Sequence, residues 1–135
     1  MLRYLLIYAV TLVLFFALDL TWLGLIAKNL YREKLGFILS DKVNWGAAIV
    51  FYLLFIAGMQ YFAIVPAVEL HQWHTAFLNG AILGGLCYAT YDLTNMATIA
   101  KWPLSIVVID IIWGMALTAA CSTGTYFIAE KFLKA

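Results

Sequence analysis

The stretch YLLIYAVTLVLFFALDLTWLGLIA, residues 4–27, decides the fold. A membrane-spanning helix needs about 20 consecutive, mostly apolar residues, and this run exceeds that length while carrying a single charge, Asp19. It is too long for the apolar core of a secretory signal, and no small-residue cleavage site follows it. It therefore reads as a retained first span. Three further stretches pass the same test, at about 45–65, stopping at Pro66, at about 75–97 and at about 103–129. The expected architecture is all-α: one domain, residues 1–135, forming an integral membrane bundle of four transmembrane helices.

Composition points the same way. Hydrophobic residues make up 66% of the chain and charged residues 11%, whereas soluble domains run near one half and one quarter. So many apolar side chains exceed what one small soluble core can hide, and the lipid bilayer is their expected partner. A net charge of +1 offers no basic patch, so nucleic acid is not an expected partner. Cys87 and Cys121 lie in apolar stretches without a CxxC partner and read as small packing residues.

The polar residues gather between the spans. A charged connector, Lys28 to Lys42, carries Arg32, Glu33, Lys34 and Asp41; a short turn carries Glu69, His71 and His74; the tail carries Glu130, Lys131 and Lys134. Four spans put both termini on one side. The connector side then holds Lys28, Arg32, Lys34, Lys42 and Lys101 against Arg3, Lys131 and Lys134 on the other, which favours the connector side as cytoplasmic. Tyr31, Trp45, Trp73 and Trp102 stand near span ends and are expected as interfacial anchors. His71 and His74 read as interfacial polar residues at a helix start rather than as a metal pair.

Ionisable groups within a span cost about 2.5–3.5 kcal/mol on insertion scales and usually mark function. This chain has three, Asp19, Asp92 and Asp110. Each lies about seven or eight residues from the connector-side end of its helix, roughly 10–12 Å deep at 1.5 Å per residue. Three carboxylates at one level should turn inward together. Helical spacing supplies company: Trp22 is three residues past Asp19, Trp113 three past Asp110, and Tyr88 and Asn95 flank Asp92 on its face. Gly80 and Gly84 continue that face in a GxxxG spacing that lets a neighbouring helix approach. The second span is expected to contribute little at this depth. The predicted pocket comprises Asp19, Trp22, Tyr88, Asp92, Asn95, Asp110 and Trp113, and opens towards the connector side.

Several chemistries suit such a pocket. Like charges crowded in a low dielectric disfavour full ionisation, which suits proton-coupled transport. Indole and phenol faces beside carboxylates suit a small organic cation. Oxygen ligands also suit a hard divalent cation, with Asp19, Asp92 and Asp110 as the candidate metal ligands, and no other cofactor is expected. The leading reading is binding or transport of a small cation or proton-coupled substrate, for which a homodimer is a fitting assembly. One alternative is a lipid head group, held by an accessory or enzyme subunit in membrane lipid modification. Another is a structural or regulatory bundle whose acids only join helices. Enzymatic activity is the less favoured class, and no catalytic residue is assigned.

Three strings carry a resemblance: Leu18-Asp19-Leu20-Thr21-Trp22-Leu23-Gly24, Tyr88-Ala89-Thr90-Tyr91-Asp92-Leu93-Thr94-Asn95 and Asp110-Ile111-Ile112-Trp113-Gly114. Together they resemble a family of small bacterial membrane proteins catalogued as domain of unknown function 2177, across the whole chain. The resemblance implies four spans in a bacterial inner membrane and genes neighbouring lipid-modifying enzymes such as cyclopropane-fatty-acid synthase homologues. It implies no established activity and assigns no residue roles.

Overall fold

The computed structural model describes residues 1–39 and 42–133. The charges of Asp41 and Lys134 lie outside the described residues. Regular structure among the described residues is helical, with no strand. Helix α1 runs Leu2–Ile26, α2 Lys28–Leu35, α3 Trp45–Leu70, α4 Trp73–Thr98 and α5 Leu104–Phe132. Four are long and one is short.

The short helix lies within the charged connector and makes five helices among the described residues where four were expected. Its sequence is amphipathic: Leu35 is buried and Tyr31 half-buried on one face, four residues apart, while Arg32, Glu33 and Lys34 are exposed. Arg32 and Lys34 fall in its last turn, where cations suit the helix dipole. Three helices, α1, α3 and α5, are long and apolar enough to cross a membrane, where the sequence led us to expect four. Helix α4 is as long, at 26 residues, but Asn79, Asp92 and Asn95 dilute its apolar character.

Pro66 does not stop the second long helix. Residues Gln60–Ile64 are wound as a π-helix, and Pro66 falls in the first turn of the α-helical segment Val65–Leu70, where a missing N–H costs least. In an α-helix that N–H would have bonded the carbonyl four residues back, at Phe62. Asn79 Nδ2 of α4 donates to the Phe62 carbonyl instead, at 3.0 Å. The helix ends at His71 in the left-handed conformation, φ 54° and ψ 43°.

The closest packing joins α4 to α5. A Cβ at Gly80 would stand 2.8 Å from the Thr118 carbonyl oxygen and 3.1 Å from Ala119 Cα. One at Gly84 would collide with the Gly114 carbonyl and stand 2.8 Å from Thr118 Cβ. Across the seam the Tyr88 ring occupies the space over Gly114. Helix α1 packs on another side of α5, where Thr11 Oγ1 donates to Thr125 Oγ1 at 3.1 Å and Cys121 Sγ to the Thr11 carbonyl at 3.5 Å. Thr118, Cys121, Ser122 and Thr125 are thereby buried in helix contacts, and both cysteines are free thiols. At the end away from the connector, Glu130 faces His71 Nδ1 at 3.0 Å and Arg3 at 3.9 Å.

Helix α3 packs unevenly. Its Gln60–Ile64 turn lies against α4 and α5, whereas the backbone of the preceding Trp45–Met59 lies nearer α1 and meets α4 and α5 only through side chains such as Phe55, whose ring packs on Tyr88. The bundle is therefore tight at one end and splayed at the other. Because no side chain larger than hydrogen fits the α4–α5 seam, Gly84→Ala should destabilise the fold by about 1–3 kcal/mol through overpacking. Unfolding in mixed micelles measures this, and an unchanged midpoint would contradict the packing.

Candidate functional site: an acid and aromatic cavity

At the splayed end α1, α3, α4 and α5 surround a cavity of about 540 Å³, which α2 caps. All three intramembrane acids line it. Asp19 comes from the last turns of α1, Asp92 from those of α4, and Asp110 from the first turns of α5. The capping helix adds Tyr31 and Leu35, and α3 adds Phe51 and Tyr52.

Two of the acids are satisfied by aromatic donors. Asp19, 6% exposed, accepts from Trp113 Nε1 at Oδ1 and from Tyr52 OH at Oδ2, each at 3.3 Å. The half-buried Asp110 accepts from Tyr31 OH at 2.7 Å, and that hydroxyl accepts from Trp22 Nε1 at 3.1 Å. The two indoles stack with ring centres 4.5 Å apart and planes at 10°. The Trp113 N–H thus serves Asp19 directly, and the Trp22 N–H reaches Asp110 through the Tyr31 hydroxyl, while the rings share a face. The stack depends on the π-helical turn Trp22–Ile26, which rewinds the end of α1 just where Trp22 begins.

Asp92 differs. It is 0% exposed, and neither of its oxygens has a hydrogen-bond partner. It lies close enough to Asp110 for the two carboxyls to interact electrostatically, yet no hydrogen bond of normal geometry joins them. A buried polar group without a partner costs about 1–3 kcal/mol, and more if charged. Around it stand the phenols of Tyr88 and Tyr91, on the cavity wall.

Tyr31 lies outside the spanning segments, on α2. Burial pushes its phenol above the ordinary value; the Trp22 N–H opposes this, and the Asp110 carboxylate reinforces it. Tyr31 therefore holds its proton and stays a donor to Asp110.

Of the seven residues expected in the pocket, six line the cavity: Asp19, Trp22, Tyr88, Asp92, Asp110 and Trp113. Asn95 does not. It stands nearly a turn nearer the end of α4, past the cavity, beside Tyr91. The second long helix is not a bystander: Tyr52 lies seven residues after Trp45, roughly 10 Å deep, the same level as the acids. The same depth count applied to hydroxyls would have found it. Tyr31 and Trp102, expected as interfacial anchors, face inward. Trp102 is 7% exposed and packs with Leu35, Ile106 and Val107, closing the connector end. The carboxylates do not assemble as a metal centre either. Among the described residues no three His, Cys, Asp or Glu side chains are placed to hold an ion.

Long apolar helices around a cavity lined by acids and aromatic rings define a helical membrane protein. More particularly, the chain belongs to the family described as predicted membrane protein DUF2177, whose profile matches residues 4–127. No curated protein and no solved structure matches it.

The indole stack yields a direct readout. Coupled indoles should give an exciton couplet in far-ultraviolet circular dichroism, lost equally in Trp22→Phe and Trp113→Phe. Tyr31→Phe removes the donor to Asp110, so amides of residues 28–35 should exchange at least several-fold faster. A couplet that survives either tryptophan change, or unaltered exchange, would contradict the geometry.

Proposed function

We propose that this chain is a multi-pass protein of the bacterial inner membrane, that all four long helices cross the bilayer, and that the cavity binds a small cation for transport. The crossing of α4 is supported by its length, about 39 Å at 1.5 Å per residue, and by its close seam with α5. Its most polar groups within the span are satisfied or buried inside the bundle: Asp92 is buried, and Asn79 serves the Phe62 carbonyl. Helical spans also fit an inner membrane better than an outer one, whose proteins are barrels.

The single observation that carries the binding reading is Asp92, fully buried against the cavity with both oxygens unpartnered. If the acids only joined helices, each should have a donor. Asp19 and Asp110 fit that structural role, and Asp92 does not. A cation between Asp92 and the tyrosine faces would gain ionic and cation–π attraction, the latter about 2 kcal/mol or more when desolvated. It would also remove the penalty of the unpartnered carboxyl.

Tryptophan emission reports on this, since Trp22 and Trp113 line the same space. Tetraethylammonium should change the emission saturably in the wild type, and Asp92→Asn should weaken the apparent affinity at least tenfold while Asp19→Asn weakens it less. Equal responses in wild type and Asp92→Asn would end the proposal.

A further inference from the structure

We infer that the occupant is an amphiphile, an organic cation bearing a hydrocarbon tail, and that it enters sideways from the bilayer between α3 and α4. This rests on the cation reading above and names the class of cation.

The acids set the position of the head. Asp19 and Asp110 are engaged by indole and phenol donors, so Asp92 is the acid without a protein donor that is left to meet a ligand. Size sets the scale. About 540 Å³ lies within the range of about 300–1,000 Å³ typical of small-molecule sites and far exceeds the needs of a bare ion. Chemistry sets the tail. Away from the acids the cavity is walled by Leu23, Leu39 and Phe51, which are 42%, 50% and 49% exposed, and the α4 wall residue Tyr91 is 57% exposed. Phe51 on α3 and Tyr91 on α4 both line the cavity and are both half-exposed, which marks an opening between these helices where their backbones lie apart.

Helix α2 covers the connector end of the cavity. Tyr31 is tied to Asp110, and Leu35 packs on Trp102 and Ile106. A hydrated ion arriving from water meets this cap. A tailed cation already in the bilayer meets an apolar portal at the right depth, with a carboxylate and aromatic faces behind it. Seated there, its head lies near Asp92 and its tail continues past Phe51 into lipid.

The test uses the full chain in dodecyl maltoside and compares dodecyltrimethylammonium, tetramethylammonium and the uncharged dodecanol, each by mole fraction in the micelle. Dodecyltrimethylammonium should bind at least tenfold more tightly than tetramethylammonium and should displace tetraethylammonium. Dodecanol should not bind, and Asp92→Asn should abolish the preference. Competition on the wild type alone keeps the test valid if the variant misfolds. A lipid carrying an ammonium head presents the same chemistry, so phosphatidylethanolamine forms a separate arm: displacement by it makes a membrane lipid the occupant, and its failure leaves a free cationic amphiphile. If tetramethylammonium binds as tightly as the tailed cation, the tail and the portal are overturned while the cation site stands. If no ammonium binds, both fall.

Discussion

The close approach of α4 to α5 is the contact on which the rest depends. Gly80 and Gly84 let the two backbones meet, and Gly114 makes room for the Tyr88 ring. With that seam fixed, the faces carrying Asp92 and Asp110 must meet near the connector end, one to two turns beyond Tyr88. Any larger side chain in the seam would part the helices and with them the two carboxyls. Helix α1 then docks through Thr11 and Thr125, which brings Asp19 and Trp22 to the same level.

Carrying carboxylates into an apolar bundle sets a second constraint, and the chain resolves it in two ways. Asp19 and Asp110 are met by donors on other elements, so the ends of α1, α2, α3 and α5 are linked through Trp113, Tyr52 and Tyr31. Those bonds hold the cavity walls in place and explain why the capping helix sits where it does. Asp92 is left without a donor on the wall of the space they enclose. Two acids tie the cavity walls together, and the third lies on the wall without a donor.

Much of this could be read from residues alone. The apolar runs located every long helix to within a few residues, and the shared depth of Asp19, Asp92 and Asp110 placed them on one cavity. The GxxxG spacing of Gly80 and Gly84 anticipated a close helix partner. What escaped has physical reasons. Pro66 looked like a terminator because its lost hydrogen bond is repaired by Asn79, a residue on another helix that no local reading connects to it. The helix Lys28–Leu35 was hidden by its charge, since its apolar face is only Leu30, Tyr31 and Leu35 wide. Tyr31 and Trp102 looked like interfacial anchors because proximity to a span end cannot distinguish a side chain facing lipid from one folded back over the bundle. Asn95 shares a helix face with Asp92 but not its depth within the cavity, and spacing on one helix could not locate the cavity's rim.

The central claim is that Asp92 faces an occupant. Photo-crosslinking tests it most directly: a photoreactive quaternary ammonium is irradiated with the purified protein, and the adducts are mapped by mass spectrometry. The account predicts adducts on cavity-lining residues such as Tyr88, Trp22 and Trp113, protected by excess unlabelled cation and lost in Asp92→Asn. Adducts confined to the outer helix faces, or an unchanged cavity pattern in Asp92→Asn, would contradict it.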